Sequence, residues 1–206
     1  MNNPYAPPGA ETTPDDLHNA ILSADPAGFA VRLGARLIDW LVSAGLGGIT
    51  GLFSGVILAV VGGPGHVPHG PAKGLAGIGI GPLALGALAS LLYHAVSEGL
   101  GGATAGKAIL GLRVKSVGTY APCGVWAGVQ RSLAYYVDAF FFGMVAYETM
   151  KGSPLKQRIG DKWARTVVVR AASLPPEARG GLGVGLALGC AAHVVVSALT
   201  MAVKAF

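Results

Sequence analysis

The sequence predicts an all-α membrane protein, a small multi-pass helical bundle with one short re-entrant or interfacial helix. Three observations carry that expectation. The 206 residues are 52% hydrophobic and only 12% charged, with mean hydropathy +0.55, too apolar for an ordinary soluble domain of this length. Three stretches, residues 40–61, 74–97 and 182–203, reach the roughly 20 residues that a hydrocarbon core demands of a helix. None of them holds a Lys, Arg, Asp or Glu. The basic residues sit beside these stretches and form no aromatic-interleaved patch, so the net charge of +5 speaks of topology and not of nucleic acid.

Residues 1–24 are polar and Pro-dotted, carry Glu11, Asp15 and Asp16, and have no basic region ahead of an apolar one. They read as a disordered cytoplasmic tail, not a cleavable signal. Asp25 and Pro26 predict a helix start, a carboxylate N-cap followed by proline at the first helical position. A helix from there to Val61 exceeds one crossing. Residues 27–36 are therefore placed at the inner interface, with Arg32 and Arg36 marking the cytoplasmic side. The breaker-rich link GGPGHVPHGP, residues 62–71, faces outward. His66 and His69 within it lack a third ligand, so no metal site is expected. The second span, kinked near Pro82, brings the chain back inside.

Residues 99–131 hold Lys107, Arg113, Lys115 and Arg131 with no acid, a strong cytoplasmic signal. Here ILGLRVKS followed by VGTYAPCGV reads as a short strand and turn at the membrane surface. SLAYYVDAFFFGMVAY, residues 132–147, is short for a crossing and contains Asp138. Its downstream flank, with Lys151, Lys156, Arg158, Lys162, Arg165, Arg170 and Arg179, is also basic. Both flanks being cytoplasmic favours a re-entrant hairpin hinged near Gly143 or a shallow interfacial helix, with a plain third crossing as the alternative. A linker from residue 171 leads to the C-terminal span. Cys123 and Cys190 lie in a loop and a span, so no disulfide is expected.

Gly47, Gly51 and Gly55 in the first span, and Gly181, Gly185 and Gly189 entering the last, repeat every fourth residue and offer grooves for close helix approach, to each other or to a second copy. Arg32-x6-Asp39 and Arg131-x6-Asp138 share a spacing of nearly two helical turns. In each pair the acid lies roughly 10 Å deeper than the base on one face. RLGARLID and RSLAYYVD thus read as halves of an old internal repeat. A carboxylate at membrane depth is costly, so Asp39 and Asp138 are expected to find partners among Arg32, Arg36, His94 and Glu98. The functional reading is a protonatable or cation-attracting cluster of Asp39, His94 and Asp138; the structural one is that Asp39 pairs with Arg32 or Arg36 to fix helix depth. His193 reads as a hydrogen-bonded interior histidine.

The segment from Gly101 to Lys107 nearly spells a phosphate-binding loop, but Ala108 stands where a Mg²⁺-holding hydroxyl belongs. No nucleotide is expected as a ligand.

GFAVRLGARLIDWLV, GGATAGKAILGLRV, RSLAYYVD and QRIGDKWARTVVV, in that order, resemble the RDD family of bacterial membrane proteins, over roughly residues 28–170. The resemblance implies that Arg32 is the family arginine, Asp39 its first aspartate, and Asp161 its second, with Asp138 the alternative. Arg165 falls where the family usually has a small residue. The resemblance also makes the Thr104 and Lys107 segment a cytoplasmic loop whose side chains cap a helix end and touch anionic headgroups. Its functional implication is transport of ions or small solutes, possible proton-coupled cation exchange included, or assistance to it. The alternative is a non-catalytic membrane scaffold acting through helix association. The expected setting is the inner or plasma membrane with a cytoplasmic N-terminus, as a homo-oligomer or beside another membrane protein. No enzyme chemistry and no cofactor are expected.

Overall fold

The computed structural model describes residues 24–62, 80–117, 121–138 and 143–205. The predicted N-terminal tail up to residue 23, the predicted link from residue 63 on with His66 and His69, and the beginning of the second predicted span lie outside the described residues. The chain is mainly helical. Helix α1 is Phe29–Gly62, α2 is Ile80–Gly101, α3 Ala105–Ile109, α4 Val125–Asp138, α5 Met144–Lys151, α6 Ile159–Trp163 and α7 Leu182–Ala205. Strands β1, Leu112–Ser116, and β2, Thr166–Arg170, form an antiparallel pair.

To this mainly helical chain the sheet adds a short antiparallel pair: β1 lies within ILGLRVKS, where a strand is expected, and β2 is unexpected. TVVVR is a β-branched run that suits a pleated surface. Both faces of the pair are covered: Leu112, Val114 and Val168 pack with Ala27 and Ala35, and Val167 and Val169 with Ala24, Leu174 and Ala178. The helix start at Asp25 and Pro26 is corrected. Those residues run extended along β2, with Ala27 N–H donating to the Val168 carbonyl at 2.9 Å and Arg170 N–H to the Asp25 carbonyl at 3.0 Å. Proline tolerates such an edge because it has no N–H to leave unpaired. Asp25 pairs with Arg170 at 2.9 Å instead of capping a helix, and α1 opens at Phe29.

Small residues set the helix crossings. A Cβ at Gly128 of α4 would collide with the Ala95 backbone of α2, and one at Gly99 with the backbone of Gly124 and Val125. Helix α7 lies on α2 in the same way, Gly185 against Gly101 and Gly189 against Ser97. The glycine groove of the last helix therefore receives α2 and not the glycines of α1. Gly47 has open space around it, Gly51 is half-buried, and the surroundings of Gly55 lie outside the described residues.

The chain folds as two copies of one motif. In each copy a helical hairpin leads to a residue with positive φ, a one-turn helix, a second residue with positive φ, and a strand. The first pair is Gly102 (φ 70°) and Gly111 (φ 64°); the second is Lys156 (φ 47°) and Arg165 (φ 49°). Lys156 and Arg165 are the two non-glycine residues with positive φ among the described residues, and each falls at the position of a glycine in the other copy. The strand register repeats the relation: Leu112 faces Arg170, Val114 faces Val168 and Ser116 faces Thr166, so a local two-fold axis passes through the Val114–Val168 pair. The one-turn helices dock alike. Gly106 sits against Ala35, one turn before Asp39, and Gly160 against Ala134, one turn before Asp138. The hairpins differ in length: α1 and α2 have 34 and 22 residues, α4 and α5 only 14 and 8. The break between α4 and α5 includes Gly143 at φ 86°.

Candidate functional site

The polar centre lies where α1, α2, α4 and α6 meet the sheet. Five charges alternate in sign along it: Lys107, Glu98, Arg131, Asp161, Arg32. Lys107 Nζ contacts Glu98 Oε1, and Arg131 Nε donates to Glu98 Oε2 at 2.9 Å. Arg131 Nη1 contacts Asp161 Oδ1 and donates to Thr166 Oγ1 at 2.5 Å. Arg32 Nη1 donates to Asp161 Oδ2 at 2.5 Å, while its other nitrogens reach the carbonyls of Ala27 and Val168. Asp161 is fully buried and Arg131 is 2% exposed, so these pairs exist in low dielectric, where both Coulomb attraction and desolvation are large. Burial alone would raise the Asp161 pKa, but Arg131, then Arg32 and Arg158, outweigh it and hold the carboxyl far below the usual range. Arg131 is held above its ordinary value: burial opposes its charge, and Asp161 and Glu98 more than offset it.

Asp39 is buried at 1% exposure, and the structure corrects its expected partners. No cation grips it. Oδ1 accepts from Gly106 N–H at 2.7 Å and Tyr93 Oη at 3.0 Å; Oδ2 accepts from Thr104 Oγ1 at 2.6 Å. Tyr93 Oη in turn accepts from Ala105 N–H at 3.0 Å. The near-P-loop segment thus does hold an anion, through the Gly106 amide and the Thr104 hydroxyl, and that anion is the protein's own carboxylate. Thr104 spends its hydroxyl on Asp39, and makes no side-chain cap. Lys107 is 8% exposed and paired with Glu98, which corrects the expectation that it touches headgroups. Burial lowers its pKa and Glu98 opposes that shift.

The expected cluster of Asp39, His94 and Asp138 does not form. His94 Nε2 accepts from Arg36 Nη1 at 2.5 Å, leaving the proton on Nδ1, which faces Glu98 Oε1 at 4.0 Å. Arg36 also stacks over the Tyr135 ring at 3.9 Å. Asp138 stands apart. It is 1% exposed and neither oxygen has a well-formed hydrogen bond among the described residues. Its nearest charge is Arg158 Nε at 3.9 Å, beside the N–H groups of Ile159 and Gly160. Burial pushes its pKa up, against the pull of Arg158. His193 packs edge-on to Tyr93 at 6.2 Å, and its Nδ1 has no partner among the described residues.

Two cavities adjoin this centre. One of about 30 Å³, room for one water, touches Arg36, Asp39, His94, Glu98 and Arg131. The other, about 180 Å³, lies between α1, α4 and α5. Sequence reasoning missed Tyr93, Tyr135, Arg158 and Thr166 as members of the site. Tyr93 adjoins His94 in sequence, and Arg158 stands three residues before Asp161; the two tyrosines gave no charge signal at all.

The RDD family model matches residues 26–165. The chain belongs to the RDD family. The match covers the first copy of the motif, the second copy as far as Arg165 just before β2, and every member of the alternating charge chain. Arg32, Asp39 and Asp161, the residues that the resemblance implies as the arginine and the two aspartates with Asp138 as the alternative for the last, bind α1 to α6 and α1 to α3 here. No curated protein and no solved structure matches the chain. Among the described residues, Leu182–Thr200 of α7 is the one stretch long and apolar enough to cross a membrane.

Proposed function

We propose that this RDD protein is a multi-pass protein of the inner or plasma membrane that works as a non-catalytic scaffold, as a homo-oligomer or with another membrane protein. The observation that carries this reading is saturation: every carboxylate oxygen of Asp39 and Asp161 is engaged by fixed partners. A carboxylate so held, with three fixed donors on each and both oxygens already bonded to the protein, is a clasp between helices. Supporting the membrane setting, α1 exposes Leu37, Trp40, Leu41, Leu52, Phe53 and Val60 along its length, an exterior suited to lipid. A cytoplasmic position for the sheet places Lys162, which is exposed, on the inner side. The test combines two measurements. Asp39→Asn lowers thermal stability in detergent while ion flux in proteoliposomes stays at the wild-type level; a loss of flux with stability intact overturns the scaffold reading. In a cysteine-free background, Lys162→Cys resists an impermeant maleimide on intact cells and reacts after permeabilisation.

The second reading, transport of ions or small solutes including proton-coupled cation exchange, is favoured by Asp138 and not by Asp39. Asp138 is the buried carboxyl with free acceptor capacity, beside a cavity and beside Arg158. Its test is proton-coupled flux that Asp138→Asn abolishes while the fold persists.

A further inference from the structure

We infer that the cavity between α1, α4 and α5 binds the phosphate headgroup of an anionic phospholipid, held by Arg36 and Arg158. The cavity, about 180 Å³, has apolar walls from Phe29, Leu33, Ala146 and Met150. Three guanidinium groups and one carboxylate, Asp138, complete its charged lining, a net positive set. Arg32 is committed to Asp161, but Arg36 has no carboxylate within 4.0 Å among the described residues; its contacts are an imidazole nitrogen and a tyrosine face. Arg158 Nε is buried without a hydrogen-bond partner, and its carboxylate neighbour Asp138 is 3.9 Å away. Two cations with donors to spare therefore face a largely apolar space.

Charge complementarity selects the occupant. Guanidinium groups recognise phosphate oxygens through short charge-assisted hydrogen bonds. Inorganic phosphate would satisfy the arginines and leave the apolar walls wet. A phospholipid satisfies both, because Leu33 and Leu37 of α1 and Met144 and Tyr147 of α5 are exposed beyond the cavity and give an acyl chain a surface to follow. The inference rests on the reading that α1 crosses the bilayer with Arg32 and Arg36 at its inner end, which sets Arg36 at headgroup depth in the cytoplasmic leaflet, where anionic lipid is attracted to basic groups.

The test uses the full chain purified in neutral detergent, with melting temperature followed as phosphatidylglycerol, phosphatidylcholine or inorganic phosphate is added. Phosphatidylglycerol is expected to raise the melting temperature while the other two do not. Arg36→Gln with Arg158→Gln is expected to weaken the apparent phosphatidylglycerol affinity by at least about tenfold. Arg36→Lys, which keeps the charge and guards against a folding defect in the double variant, retains part of the shift, and Arg170→Gln, remote from the cavity, retains all of it. An equal shift with inorganic phosphate, an undiminished shift in the double variant, or no shift in the wild type overturns the inference. Alkaline carbonate extraction separates the two levels: a chain that stays in the membrane pellet yet shows no phosphatidylglycerol shift lacks the lipid site, whereas a released chain refutes the spanning reading itself.

Discussion

Lys107 and Asp161 occupy the same position in the two copies of the motif and carry opposite charges. Each is the residue after the glycine that docks its one-turn helix, Gly106 or Gly160. The exchange lets the two copies meet as an alternating series, in which Glu98 of the first copy holds Arg131 of the second and Asp161 of the second holds Arg32 of the first.

Asp161→Asn breaks that series between its two arginines. Removing one member of a buried pair leaves an uncompensated charge, and the cost is about 3–5 kcal/mol. Chemical unfolding in detergent should show a loss of that order, with Arg131→Gln similarly damaged and the exposed Arg170→Gln within about 0.5 kcal/mol of wild type.

The two docking glycines differ in what a methyl group would strike. At Gly106 it collides with the Ala35 carbonyl; at Gly160 it comes within 2.8 Å of the Ala134 Cβ. Backbone has nowhere to go and a methyl can be deleted. Gly106→Ala should abolish folded yield, whereas Gly160→Ala should be destabilised and then substantially rescued by Ala134→Gly, an interaction read from a double-mutant cycle.

Arg165→Gly should raise stability by about 1 kcal/mol. The residue sits at φ 49°, a conformation that costs an L side chain roughly 1–2 kcal/mol and glycine almost nothing, set against the greater chain entropy of glycine. An increase in melting temperature with unchanged oligomeric state is the expected readout. Arg165 is exposed, so its side chain has little packing to lose.

Acid and base should act through different carboxyls. Asp161 has a lowered folded pKa, because Arg131 and Arg32 overcome the effect of burial. Its stabilisation is complete above the unfolded value of about 3.9 and is lost as pH falls from there toward the lower folded value. Asp138 is raised by burial, so the folded state binds the extra proton and stability declines as pH rises from the unfolded value through the folded one. Denaturation curves against pH should lose the acid limb in Asp161→Asn and the opposing limb in Asp138→Asn.

Long apolar helices and the break at Gly143 were legible because each follows from composition or from glycine. The R-x6-D repeat was legible as spacing, but its extent was not: the positive-φ positions that reveal it are glycine in one copy and Lys156 and Arg165 in the other, and no residue pattern marks them. The partners of Asp39 were hidden for a different reason. Backbone amides and hydroxyls carry no charge signature, so a search for cations found Arg32 and Arg36 on the same helix, while Gly106, Thr104 and Tyr93 supplied the actual bonds. Lys107 looked like a surface base because the burial that Glu98 makes tolerable is a tertiary fact. Of the two strands, the one expected within ILGLRVKS is β1, whereas β2 was hidden. TVVVR carries the β-branched signal but follows a helix-like run, and its pairing with LRVKS joins segments far apart in the chain.

The crossing of Arg32 to Asp161 and of Glu98 to Arg131 makes each copy depend on the other: a fragment ending after Ser116 leaves the buried Arg32 guanidinium without its carboxylate, and the complement keeps Arg131 on Asp161 but loses Glu98. A chain severed between the copies should therefore give pieces that are unstable apart and associate when made together, an obligate partnership enclosed within a single polypeptide.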